Sequence, residues 1–452
     1  MDLRHIIRHT MMLIVATLGL IACTEEPKPP VVVVVPEQEE LPTYTIIYLA
    51  VGGDTLDEAI ERSLANISKS ALAPNINLAA QIKWTKGYAS NWSNGKGEVC
   101  RMVIKGGESS TDFTTVGDNN YPLYDPDNIA DFITWSKRVA PADNYILLLA
   151  GHGNGWHPEV GIEATRGTLR DTDLQRYVSL EELCTGIELS GTHFRMIQMI
   201  SCLMNTMEYI TPLSLYADHI MGSCHVSLML CSEIHWLHMA LRSIKSDKES
   251  EFVEALGEYM GYIKMEMGLQ DLLLEKVDFS ITDSRYVASL NESIRSFADV
   301  VDGLYDEQES IGKEAFEARY GATMEEVESA VAGAYYYITA YLDAEAMETT
   351  EYLRMAFTYD LVDIVRRASR AIRCEALATA AAEVEQAARS ARRINYTTQL
   401  EEIGEVFYGV TLTNGEQWEA RGYESAGYED TLFDKTTGWS RLLKRNNITL
   451  RY

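Results

Sequence analysis

The strongest constraint on this chain is the stretch from Tyr145 to Pro158, Y-I-L-L-L-A-G-H-G-N-G-W-H-P. Ile146 to Ala150 is continuously apolar and stops at Gly151-His152-Gly153. A run this short does not span a bilayer. It suits a strand covered on both faces, in the middle of a parallel sheet. The glycines let the backbone turn and leave His152 just past the strand's carboxyl end, where open α/β sheets carry their chemistry. Fifty residues later, Met196 to Met204 reads M-I-Q-M-I-S-C-L-M. This is a second buried strand, and it delivers Cys202 to the same edge. A His and a Cys at the ends of two core strands are a candidate base and nucleophile.

Around these two runs, strand and helix patterns alternate. Thr45–Val51 is a strand by its β-branched content. Thr55-Leu56-Asp57-Glu58 is a capping box, after which Leu56, Ile60, Leu64 and Ile67 share a helical face. Further strands are expected at Leu78–Trp84, Val99–Ile104 and His219–Ser223. Ser179 and Glu182 form a second capping box, and a helix beginning at Leu203 would put Cys202 near a helix N-terminus. Gly153–Arg176 is polar and reads as a loop over the strand ends. The alternation predicts an α/β domain over residues 43–247, built on a mainly parallel sheet with right-handed crossovers. Residues 248–403 read as helical, with helices at Phe252–Met267, Tyr286–Leu304, Met324–Asp343, Tyr352–Arg366 and Ala371–Arg393. In 404–452 the pattern turns β again. Phe407–Thr413, Asn414-Gly415 and Gln417–Tyr423 carry a type I′ hairpin signature.

The formal net charge of −28 argues against nucleic acid as a partner. At the N-terminus, Arg4 and Arg8 precede an apolar Met11–Ile21 segment that ends in Leu20-Ile21-Ala22-Cys23. That arrangement resembles the lipobox of bacterial lipoproteins. It implies a signal peptide over 1–22, a lipid anchor to the membrane at Cys23, and a tether over 23–42 kept extended by Pro27, Pro29, Pro30 and Pro36. Cys23-Thr24-Glu25-Glu26 resembles the acidic signal that carries Bacteroidetes lipoproteins to the surface. The expected location is therefore the outer membrane, facing the periplasm or, where the acidic signal acts, the cell surface. The other six cysteines show no regular disulfide spacing, and Cys202 is expected to stay outside any disulfide. Cys224, His225, Cys231, His235 and His238 crowd together, but their spacing matches no common zinc site. They read as packing residues, and no metal site is expected.

A Cys thiol of pKa about 8.5 is mostly protonated at neutral pH, and a nearby imidazolium lowers it. His152 can supply that charge and then protonate a leaving amine. The backbone N–H groups of Gly153 and Cys202 can face a developing oxyanion. These parts amount to amide hydrolysis through a thioester. The spacing fits the caspase pattern, with its His about 50 residues before the Cys, although the caspase motif around the Cys is absent.

Tyr145–Trp156, with its G-H-G-N-G-W, and Ser201-Cys202-Leu203-Met204, with Glu208 following, resemble the two signature blocks of the clostripain family of cysteine peptidases. Thr45–Ala50, Leu56 and Ala217-Asp218-His219-Ile220 fit the same family, which extends the resemblance over residues 43–240. Thr431–Trp439 resembles its C-terminal end. The resemblance implies a caspase-like, mostly parallel sheet flanked by helices, here with a helical C-terminal region and a terminal β-hairpin. It implies His152 as general base and acid, Cys202 as nucleophile, and a peptide or protein substrate. The family usually reads D-A-C-L-M, its Asp lining the pocket for an Arg or Lys side chain; this chain has Ile200 there. An apolar side chain cannot pair a buried guanidinium. Cleavage after Arg or Lys is therefore expected to be weakened or lost, unless Asp218 or Glu233 supplies the charge. Family members often cut themselves between the His and the Cys, where Arg166, Arg170 and Arg176 lie. Some relatives use calcium, and the resemblance leaves calcium open here because acidic loops could bind it, although no D-x-D-x-D-G loop occurs; no other cofactor is expected. The alternative is a catalytically inactive caspase-like lipoprotein serving as a binding or scaffold module. Ile200 favours that alternative; the retained His152 and Cys202 oppose it.

Overall fold

The computed structural model describes residues 41–53, 56–153, 155–156, 167–225, 231–269, 278–337, 358–397, 405, 407–413, 415–420 and 427–446. Cys23, the signal and tether segments and Arg166 lie outside these residues. The described strands are β1 (Tyr44–Val51), β2 (Ile76–Lys83), β3 (Lys86–Ala89), β4 (Asn94–Lys96), β5 (Val99–Ile104), β6 (Thr114–Gly117), β7 (Asn144–Ala150), β8 (Thr168–Asp171), β9 (Arg176–Val178), β10 (Phe194–Ile200), β11 (Ala217–Gly222), β12 (Asp278–Asp283), β13 (Thr358–Asp360), β14 (Arg392–Thr397) and β15 (Gly409–Thr411).

Nine of these form one sheet in the order β14-β12-β11-β10-β7-β1-β2-β5-β6. The five central strands, β11 to β2, run parallel. The outer pairings on both sides are antiparallel. The two apolar runs read first from the sequence are β7 and β10, adjacent at the centre. Their side chains alternate between faces, as the period of two in a strand requires. Leu147, Leu149, Ile197 and Met199 join one apolar cluster, packed with the helices Pro126–Val139, Leu180–Leu189, Met207–Leu213 and Val287–Ile311. Ile146, Leu148, Ala150, Met196 and Ile200 join the other, under Leu56–Lys69, Glu233–Leu241 and Glu249–Leu269. Both faces are thus covered, and this is why the two runs carry almost no polar residues.

Several expectations change. Residues 248–403 are not purely helical, because they contribute β12 and β14 to the central sheet. The helices that follow β12 share the apolar cluster of the first face with residues as late as Leu443. Residues 41–452 group as one unit by their contacts, so the later segments complete the domain rather than trail behind it. The predicted terminal hairpin is absent from the described residues: Gly415–Ala420 is helical, and β15 pairs antiparallel with β13. Asn414 itself lies outside the description. The tertiary partner wins over the turn signal because β15 is already paired, and the short helix buries Trp418 against Tyr428. The helix at Met324 stops at Val331. Tyr335–Tyr337 run extended beside β13 instead, with Tyr337 N–H donating to the Thr358 carbonyl (2.9 Å) and Asp360 N–H to that of Tyr335 (2.8 Å).

Candidate active site

Parallel pairing places Ile200 of β10 opposite Ala150 of β7. His152 and Cys202 each stand two residues beyond that last pair, so both leave the sheet at the same edge. The pairing continues past the strands: Gly151 N–H donates to the Ile200 carbonyl at 3.3 Å. A Cβ placed on Gly153 would lie 2.6 Å from the Cys202 carbonyl oxygen and 2.8 Å from Ser201 Cβ. Only glycine lets the two backbones come this close. His152 and Cys202 are both half-buried.

Directly after Cys202 the backbone is strained. Leu203 has φ 61°, a left-handed conformation that a branched side chain rarely adopts. Such conformations persist where the surroundings over-determine them and cluster at functional sites. Here the surroundings are a backbone ladder, with Leu203 N–H donating to His225 O (3.0 Å) and Asn205 N–H to Ser223 O (3.0 Å). The helix expected from Leu203 begins only at Met207 and is seven residues long, so Cys202 does not sit on its N-terminus.

Asp278, the first residue of β12, braces the ladder from behind. It accepts from Ser223 Oγ (3.0 Å), Cys224 N–H (3.0 Å) and His225 N–H (2.9 Å). Burial pushes its pKa up to about 6, against the opposing pull of those hydrogen bonds. Glu208, fully buried, accepts from Thr411 N–H (2.9 Å) and Tyr428 O–H (2.9 Å) and so ties the segment after Cys202 to the C-terminal part of the chain. Burial raises its pKa as well. Trp156, from the first signature block, packs edge-on against the same Tyr428. Cys202 and Tyr335 pack against a small apolar cluster of Leu203, Cys224 and Tyr337, and Tyr335 O–H lies 2.9 Å from His225 Nε2.

The interval between His152 and Cys202 is not all loop. β8 and β9 form a hairpin. Within it Arg170 stacks on Tyr177. Arg176 lies over Tyr124 and pairs with Glu182.

Asp218 does not reach this edge. It stands near the start of β11, level with Arg195 and seven residues up-strand from Cys202, roughly 20 Å at about 3.3 Å per residue. Its carboxylate is committed to His193 Nε2 (2.9 Å) and Arg195 Nη1 (2.9 Å). Burial alone would raise its pKa, but those bonds outweigh it and hold the value down. Ile200 is 4% exposed, within the apolar cluster of the second face. Glu233 opens a helix on that same face and is 4% exposed; burial pushes up the phenol pKa values of Tyr48 and Tyr259, and the nearby Glu233 adds to the rise.

The cysteines sort by environment. None of the six described is in a disulfide. Burial pushes Cys100 and Cys231 up to about 11 and Cys184 to about 12, and it raises buried Cys224 as well, so these thiols stay protonated. His238 Nε2 accepts from Ala73 N–H at 2.9 Å, which is a packing use. Among the described residues no group of three or more His, Cys, Asp or Glu side chains is arranged to hold a metal ion.

Asp278 was not singled out from the sequence. The alternation in D-F-S-I-T-D was a strand signal, and an acid opening a strand next to a run of backbone donors was the available clue.

A sequence model of the clostripain family, peptidase family C11, matches residues 99–444. Among solved structures, an inactive zymogen C11 protease from Parabacteroides distasonis aligns over 88% of this chain and 98% of its own, at 16% identity and TM-score 0.54. A secreted C11 cysteine protease from Bacteroides thetaiotaomicron, in complex with an irreversible peptide inhibitor, covers 88% of this chain and 99% of its own, at 14% identity and TM-score 0.55. At these identities the likeness is one of fold. No curated protein matches the chain.

Because the folded-state pKa of Asp278 lies above its unfolded value of about 3.9, its stabilising contribution is present below that value and lost as pH rises through about 6. Urea unfolding of wild type and Asp278→Asn across pH 4 to 7 is expected to show the wild type losing up to about 3 kcal/mol relative to the variant. A difference that stays flat, or moves the other way, would contradict the buried-acid account.

Proposed function

The chain belongs to the clostripain family of cysteine peptidases, and from that premise we propose that it hydrolyses peptide bonds through a thioester on Cys202, with His152 as its partner. The observation that carries this reading is the β7–β10 register, with both residues two positions past one paired rung. The Cys202 thiolate attacks the scissile carbonyl and forms the C–S bond. The His152 imidazolium gives its proton to the leaving amine as the C–N bond breaks. His152 then takes a proton from water, which attacks the thioester and frees the acid and the thiolate. The N–H groups of Gly153 and Cys202 face the oxyanion at each tetrahedral stage. The close approach of Gly153 to the Cys202 carbonyl supports this part.

The P1 preference follows from Ile200. Its side chain is apolar and packed with other apolar groups, which suits an uncharged P1 residue. Asp218 is engaged elsewhere. Of the two acids considered for that charge, Glu233 is the one on the face that Ile200 packs into, and as a buried acid near two tyrosines it would have to be reached by a long basic side chain.

The N-terminal residues support export as a lipoprotein acylated at Cys23. One structural relative is itself a secreted protease.

Three outcomes test this reading. An electrophilic peptide label is expected to attach at Cys202; Cys202→Ala is expected to abolish cleavage, and His152→Ala to lower kcat by ~10²–10⁴-fold. A wild-type protein that neither cleaves nor takes the label would leave only the scaffold reading. On fluorogenic peptides, kcat/KM is expected to be higher for Leu than for Arg at P1; a strong Arg preference that disappears in Glu233→Gln would transfer the pocket to Glu233. In phase partition of bacterial membranes, Cys23→Ser is expected to move the protein from the detergent to the aqueous phase, and no shift would rule out the anchor.

A further inference from the structure

We propose that Lys83 is a positioning residue whose buried ammonium anchors the β8–β9 hairpin, and that this hairpin aligns the His152 and Cys202 turns. The inference rests on the reading of those two residues as the catalytic pair.

Lys83 closes β2 and is only 1% exposed. A buried ammonium without partners is costly, so its contacts show what it is for. Nζ donates to the Gly97 carbonyl (2.9 Å), Asn119 Oδ1 (3.2 Å) and Asp173 Oδ2 (3.2 Å), and Asp171 Oδ2 stands at 4.0 Å. The two carboxylates of this set both belong to the hairpin. Asp171 Oδ1 accepts from Asp173 N–H and Leu174 N–H (3.0 Å each), and Asp173 Oδ2 accepts from Lys86 N–H (2.9 Å). Among the described residues Asp171 Oδ2 has no hydrogen-bond donor, and the Lys83 charge compensates it. Burial raises the Asp171 pKa and Lys83 opposes the rise.

The other side of the hairpin touches both turns of the site. Arg170 N–H donates to the His152 carbonyl (3.3 Å), and Gly153 forms an antiparallel bridge with Thr168. Leu169 Cα would lie 3.3 Å from a Cβ on Gly151. Thr168 Oγ1 donates to Ser201 Oγ (3.1 Å), one residue before Cys202. Thr172 packs on Gly53: a Cβ there would meet Thr172 Cγ2 at 2.7 Å and His152 Cδ2 at 3.5 Å.

A hairpin with strands of four and three residues is too short to hold itself. This one also carries two non-glycine residues in the left-handed region, Leu169 (φ 57°) and Gln175 (φ 53°). Such strain needs an external anchor. Leu169 and Val178 supply an apolar one, and Lys83 supplies the charged one at the turn.

The test uses the full chain in three forms: wild type, Lys83→Met, and Lys83→Met combined with Asp171→Asn and Asp173→Asn. Lys83→Met is expected to lower kcat by ~10²-fold with KM unchanged, the cost of a misaligned pair. Amide hydrogen exchange is expected to lose protection at residues 168–178 and 151–153 while β1 and β7 stay protected. The triple variant removes the anchor together with its counter-charges, and is expected to stay about as slow as Lys83→Met, because relieving the unpaired carboxylates does not restore the link from β2 to the hairpin. An unchanged kcat in Lys83→Met, a loss of protection spread over the whole sheet, or a triple variant that recovers kcat would overturn the proposal. An inactive wild type that takes no label at Cys202 would end the catalytic reading instead. Hydrogen exchange would then decide by itself whether Lys83 anchors the hairpin.

Discussion

The parallel register between β7 and β10 is the constraint on which the rest depends. In a sheet covered on both faces, a slip of one residue would turn every buried side chain to the wrong side. Leu147, Leu149, Ile197 and Met199 fill one core, and Ile146, Leu148, Met196 and Ile200 fill the other. The register is therefore held by apolar packing along the length of both strands. What emerges past the final rung starts from that register. His152 and Cys202 come out side by side because Ala150 and Ile200 are paired, and Gly151 and Gly153 keep the two turns in contact. The chemistry at the edge inherits its precision from hydrocarbon.

Packing does not fix the turns themselves, and there the protein uses buried carboxylates. A carboxylate can accept several backbone N–H groups at once, which suits it to gather irregular chain. Asp278 gathers Ser223 to His225, the segment after β11 against which strained Leu203 is pinned. Asp360 accepts from Asp363 N–H (2.8 Å), Phe407 N–H (2.7 Å) and Tyr337 O–H (2.7 Å). Glu208 joins the segment after Cys202 to Thr411 and Tyr428. Trp439 then donates to the Thr411 carbonyl (2.8 Å), and Asp434 holds the backbone at Ser440. The residues after 400 thus close the back of the site, which explains why the resemblance read from the sequence reappears at Thr431–Trp439.

The central strands and the edge that carries His152 and Cys202 were legible because burial on both faces writes an unbroken apolar run. What failed to read had other determinants. β12 was overlooked because its alternating D-F-S-I-T-D lies among helical patterns. Asn414-Gly415 is a strong local turn signal, but β13, some fifty residues earlier, had already claimed the strand before it. Asp218 was misplaced because adjacency to a predicted strand does not say which end of the strand faces the site. Lys83 and the hairpin acids were invisible for a similar reason: a lysine ending a strand reads as solvated until a distant pair of carboxylates is brought over it.

The hairpin also bears on how the site tolerates a broken chain. The contacts between it and the His152 turn, namely Arg170 to His152, Thr168 to Gly153 and Leu169 against Gly151, join described residues on either side of the 157–166 interval. Its hold on the sheet runs through Lys83, and its hold on the Cys202 turn through Ser201. None of these links uses the covalent connection through that interval. Alignment of the pair is therefore set by noncovalent contacts on both flanks, and a cut within 157–166 would sever no contact in this set.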